Sequence, residues 1–208
     1  MWKWLLLGWL TVGQAEPPLG GGLLFDRVVA WVDGETITQN ELLAEASLAV
    51  AAERGPAAAA ALTEPAMEVA LTTLVGEVLV AREARRVGAE APEPIAIEHR
   101  FAALLDQFSS QEAYGAFVHR LGVDDAFVLD AIGRRLLVDA YLRQRLRTRV
   151  LHDEPASPGA WSMAAHARAE LRERRFLALA LAYRQELYKT VPVRLLRANG
   201  ALERVTAP

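Results

Sequence analysis

The chain has no cysteine, which removes disulfides, thiolate metal sites, a cysteine nucleophile and lipid attachment to an N-terminal cysteine. Lysine is almost missing as well: Lys3 and Lys189 are the only two, so positive charge is carried by arginine. The four histidines, His99, His119, His152 and His166, stand singly, without paired HExxH spacing or an acidic ligand at a fixed offset. His152-Asp153-Glu154 is the one run of ligand-type side chains, and its polar, proline-containing surroundings make it a solvated turn. No GxSxG elbow occurs, and Ser109 and Ser110 are placed to cap a helix. Gly20 to Gly22 come before a strand rather than between strand and helix, which argues against a phosphate cradle. No apolar run approaches the roughly 20 residues of a membrane span. A net charge of −3 gives no basic footprint for nucleic acid.

What is present is a globular composition, 208 residues with 52% hydrophobic and 24% charged. Residues 1–15, MWKWLLLGWLTVGQA, combine an early lysine, a short apolar run and small residues at Gly13 and Ala15, the pattern of a cleavable secretory signal peptide. The Pro/Gly-rich EPPLGGGLL that follows makes 16–25 a loose leader. An exported domain without disulfides has to be held by its core.

Beyond the leader the period of the sequence changes quickly. Arg27 to Val32 alternate as a strand, Asp33-Gly34 is a two-residue hairpin turn, and Glu35 to Ile37 return. Thr38 and Glu41 have capping-box spacing, so a helix runs from about Gln39 to Arg54. Gly55-Pro56 and an alanine run separate it from a helix that begins at Thr63 and stops at Gly88, with apolar residues at three-and-four spacing from Met67 to Leu79. A third helix carries Ile97, Phe101, Leu104, Leu105 and Phe108. Ser109 with Glu112 caps a fourth, which holds Tyr114, Phe117 and Leu121. Asp124 or Asp125 opens a fifth that reaches Val150, followed by the polar loop LHDEPASPGA at 151–160. The last helix spans Trp161 to Lys189, and VPVRLL reads as a strand, with a possible turn at 198–201. A lone hairpin is marginal in water. VPVRLL is the other good strand signal, so the two ends of the chain are expected to meet in one small antiparallel sheet on a mainly α protein, closed by the long last helix.

Two patterns bear on function. Arg143, Arg145, Arg147 and Arg149 alternate along one helix, so they spread around the cylinder, and their placement near a helix C-terminus is favourable in itself. Phe101, Leu105, Phe108, Tyr114, Phe117 and Phe127 crowd into one short span. Their spacing suits a core, but their concentration points to some of them facing an open, apolar, client-binding groove.

The segment DRVVAWVDGETITQNEL resembles the opening of SurA-type periplasmic chaperones through Asp26, Arg27, Val28, Val29, Ala30, Val32, Ile37, Thr38, Glu41 and Leu42. LTTLVGEVLVAREARRVGAE is similar to the next helix of that family through Leu71, Leu74, Val75, Glu77, Leu79, Glu83, Ala84 and Gly88, and FSSQEAYGAFVHRLGVDDAFVLDAIGRRLLVDAYL to the region after it. The resemblance implies a helical chaperone domain over 26–150, completed by the helix and strand of 161–208. It also implies a periplasmic holdase for unfolded, aromatic-rich segments of outer-membrane proteins, acting without a cofactor. Family members usually carry a parvulin-type prolyl isomerase domain where this chain has only 151–160. About ten residues cannot hold a domain of roughly a hundred, so isomerase activity is expected to be missing. A dedicated assembly protein with one partner is the alternative, and a prolyl isomerase the remaining one.

Overall fold

The computed structural model describes residues 26–152, 165–196 and 202–204. The expected signal peptide and leader (1–25), residues 153–160 of the linker and the turn at 198–201 lie outside the described residues. The fold is mainly α. β1 (Val28–Val32) and β2 (Glu35–Thr38) form the hairpin, with Asp33 at φ 45° and Gly34 at φ 98°. Both turn positions are thus left-handed, the conformation that an Asp-Gly pair adopts at least cost. α1 (Gln39–Arg54) follows at once: Glu41 N donates to Thr38 Oγ1 (3.2 Å) and Thr38 N to Glu41 Oε2 (3.4 Å), the expected capping box.

α2 (Pro56–Ala59) is a single turn inside the alanine run, missing from the sequence reading because one turn has no periodicity to detect. α3 (Glu64–Arg86) matches expectation to within two residues at each end, whereas α4 (Pro94–Leu105) stops at Leu105, so Phe108, expected on it, lies in the turn that follows. α5 (Gln111–Leu121) is capped by Ser110, whose Oγ accepts from Ala113 N at 3.2 Å. Ser109 is therefore one residue too early to be the cap, and Ala113 rather than Glu112 holds the third helical position. α6 (Asp125–His152) has Asp124 as its cap, with Phe127 N donating to Asp124 Oδ1 at 2.9 Å. α7 (Ala165–Thr190) leads into β3 (Val193–Leu196), and β4 (Leu202–Arg204) adds a strand.

The two ends of the chain do meet. The sheet order is β2-β1-β3-β4, antiparallel throughout, with Val32 opposite Val193 and Trp31 opposite Arg194. Ala30, Val32, Ile37 and Val193 form its buried face, and on the other face the Arg194 guanidinium lies 5.4 Å from the Trp31 ring centroid. Asp33 N donates to Pro192 O (3.1 Å), Arg82 Nη1 donates to Asp33 O (2.9 Å), and the Arg82 guanidinium pairs with the Asp33 carboxylate. The turn is thus fastened to α3 and to the end of α7.

Two apolar clusters result. The larger one joins the buried face of the sheet to α3, the second half of α6, and α7 through Leu79, Val80, Leu142, Leu146 and Phe176. Each such side chain contributes about 1.5–3 kcal/mol when fully buried. The smaller one joins the second half of α1, α2, α4, α5 and the start of α6. α6 and α7 run antiparallel: the Tyr141 and Tyr183 hydroxyls are 2.8 Å apart, and Arg143 lies over the Phe176 ring at 4.8 Å. At Gly76 of α3 a Cβ would sit 3.2 Å from Arg184 Cδ, so the missing side chain leaves room for this arginine of α7.

Candidate functional site

The six expected client-contact residues all fall in the smaller cluster. Tyr114 and Phe117 are buried inside it, whereas Phe101, Leu105, Phe108 and Phe127 are half-buried around them. Phe101 and Phe108 stand edge-on to Tyr114 at 5.7 and 5.5 Å, and Phe108 is tilted against Phe117 at 5.2 Å. Tyr114 Oη donates to Asp125 Oδ1 at 2.8 Å, and burial followed by this acceptor pushes the phenol above its ordinary range. The crowd of aromatics is thus the packed interior of a lobe, with Phe101, Phe108 and Phe127, and Leu105 beside them, reaching its outside.

Open space lies elsewhere, at the junction of the two clusters. A hollow of about 470 Å³ opens between α1, α3, α4 and α6. Ala49, Ala52, Ala103, Leu104, Ile132 and Leu136 give it an apolar wall, and none of the six aromatic-lobe residues lines it. A second hollow of about 270 Å³ lies between α6 and α7, lined by Leu142, Phe176 and Ala180, with Leu177 and Leu181 both 57% exposed at its rim. Glu77, Arg135 and Asp139 line both hollows, so these form one crevice along α6 with a charged divide. The alanines of α1 were legible in the sequence only as good helix formers. Their second consequence, that short side chains leave a wall without bulk, becomes visible when α4 and α6 stand opposite.

The divide rests on a buried ion network. Glu45, 3% exposed, accepts from Arg134 Nη2 at Oε1 and from Arg135 Nη2 at Oε2 (2.7 Å), and Arg135 Nη2 also reaches Glu45 O at 3.1 Å. Arg135 Nε is 3.6 Å from Glu77 Oε2, which has no hydrogen-bond partner. Burial holds the Glu77 carboxyl above its ordinary range, against the pull of Arg135 and Arg134. A carboxyl raised in this way favours folding when protonated. Its contribution is full below the ordinary value of 4.5 and is lost as pH rises through the folded value. Glu77→Gln is therefore expected to melt no lower than the parent at pH 7, with the difference closing below pH 4.5. Thermal melts across pH check this, and a mutant clearly less stable than the parent at neutral pH would show that the Arg135 contact outweighs the desolvation.

Among the described residues no group of three histidine, acidic or cysteine side chains is placed to hold a metal ion, and no helix is long and apolar enough to cross a membrane. Neither a family model nor a curated protein matches the chain.

Proposed function

We propose that this protein is a periplasmic holdase of SurA type, which binds unfolded or extended segments of exported proteins, outer-membrane proteins among them, and has no isomerase activity. The observation that carries this reading is the open crevice along α6, with apolar walls of short side chains and an exposed leucine rim. Its apolar walls suit a binder of many sequences, with Glu53, Arg100 and the Glu77, Arg135 and Asp139 of the divide as charged groups along them. Affinity at such a site is modest, because an unfolded client loses conformational freedom on binding. The order of hairpin, capped helix and long paired helices that resembles the SurA-type family supports the same reading.

The test fills the trough. Ala52 and Ala103 line it and are exposed, so Ala52→Phe and Ala103→Phe place bulk there without disturbing either core cluster. Each is expected to weaken client binding about tenfold, the loss of roughly 1.4 kcal/mol. The readout is suppression of aggregation of several unrelated unfolded proteins. Suppression unaffected by both substitutions would place client binding elsewhere. Capture of a single native partner, with no effect on unfolded chains, would favour the dedicated assembly protein, and acceleration of a proline-limited refolding phase would restore the isomerase.

A further inference from the structure

The arginines of α6 gain a second set of neighbours from the fold. Because α7 runs antiparallel to α6, Arg168, Arg172, Arg174 and Arg175 lie beside the helix end that carries Arg143, Arg145, Arg147 and Arg149. Residues 143–175 hold eight of the chain's 23 basic residues and four of its 26 acidic ones, so this stretch is at +4 and the remainder at −7. Some of the charge is neutralised locally: Arg143 pairs with Asp139 and Glu173, and Arg174 with Glu170. Arg145 feels Glu83, and Arg172 also has a partner. Arg147, Arg149 and Arg168 have no ion-pair partner among the described residues.

Placement near a helix C-terminus accounts for the arginines of α6 but not for Arg168. α7 has no acidic residue in its first turn, so no carboxylate of that turn neutralises Arg168. Like charges thus gather on both helices with incomplete compensation among the described residues. Past Leu146 on α6 and before Phe176 on α7, no described side chain is fully buried, and Val150 is the half-buried residue there that packs against the larger cluster. Leu151 is 48% exposed there, and neither hollow includes a residue of this end.

We infer that the paired end of α6 and α7 docks on an anionic lipid bilayer. The charge complements acidic headgroups, and each arginine near such a surface strengthens binding about fivefold. An exposed leucine among the arginines enters the boundary between headgroups and acyl chains, which an acidic protein partner would not require. Arginines spread over two helices fit a broad surface, whereas a small soluble anion needs an enclosed site. The inference is independent of the crevice, and the holdase reading stands or falls without it.

The experiment is sedimentation of the full chain with vesicles of phosphatidylcholine alone, or of phosphatidylcholine with about 30% phosphatidylglycerol, from about 0.05 M to about 0.5 M salt. Neutral vesicles report any contribution of the apolar N-terminal residues. Binding is expected only or chiefly to the anionic vesicles, falling with salt, and about a hundredfold weaker for the triple substitution R147Q/R149Q/R168Q. The corresponding triple lysine variant, which keeps the charge, is expected to bind like the parent, so a loss caused by damaged helices is distinguishable. Equal binding to both kinds of vesicle, or no loss in the glutamine variant, overturns the proposal. Binding to soluble polyglutamate that matches or exceeds binding to the vesicles overturns it in favour of an acidic protein partner.

Discussion

Glu45→Ala is expected to destabilise the protein by about 3–5 kcal/mol, a large part of the total stability of a domain this size. The cause is what the substitution leaves behind. The Arg134 side chain is 10% exposed and Arg135 30%, and Glu45 is the carboxylate that both address directly. Without it Arg135 keeps the backbone carbonyl of residue 45 at 3.1 Å and the longer contact to Glu77, while Arg134 keeps, among the described residues, only Asp130, at 3.9 Å and itself exposed. Arg134 Nε already lacks a hydrogen-bond partner, so the larger part of the cost falls on Arg134. Equilibrium denaturant unfolding measures the loss. The double substitution E45L/R134L, which removes the buried charge with its partner, is expected to recover much of it, because such pairs are often replaceable by apolar residues of similar volume. A cost below about 1 kcal/mol for Glu45→Ala would mean that water already reaches the pair.

Removing residues 190–208 is the second large change. It deletes β3 and β4 and leaves β1 and β2 as a two-stranded hairpin, which is marginal in water. Val193 is fully buried, worth about 1.5–3 kcal/mol by itself, and each lost ladder hydrogen bond adds about 1 kcal/mol. The cut also uncovers Ala30 and Val32 and releases Asp33 from Pro192. A loss of more than about 4 kcal/mol, or failure to fold, is the expected result by circular dichroism and denaturant titration. A truncated chain as stable as the parent would mean that β1 needs no neighbour on that side. Val193→Ala, a milder change at the same place, is expected to cost about 1–2 kcal/mol.

Much of the architecture was legible because its signals are local. Asp33-Gly34 specifies a turn, Thr38 with Glu41 specifies a helix start, and the spacing from Met67 to Leu79 specifies a buried helix face. The meeting of β1 and β3 followed from one physical constraint, that a hairpin needs a third strand. The choice between Ser109 and Ser110 turned on one residue of backbone geometry that two adjacent serines do not distinguish. The site was less legible than the fold. Glu45, Glu77, Arg134 and Arg135 each look like a solvated charge on a helix, and only the packing of α1 and α3 on α6 buries them together. Likewise, aromatic crowding marked a packed lobe of the protein, while the open space arose where side chains are small.

The pairing of β1 with β3 also sets an order in time. Val32 is among the first residues of the folded part to be synthesised, and the Val193 that covers it is among the last. A sheet whose central contact spans nearly the whole chain closes late, after the local helices have formed. Under the periplasmic function proposed above such a delay has a use: the strand that covers β1 becomes available only after the helices between them have been made.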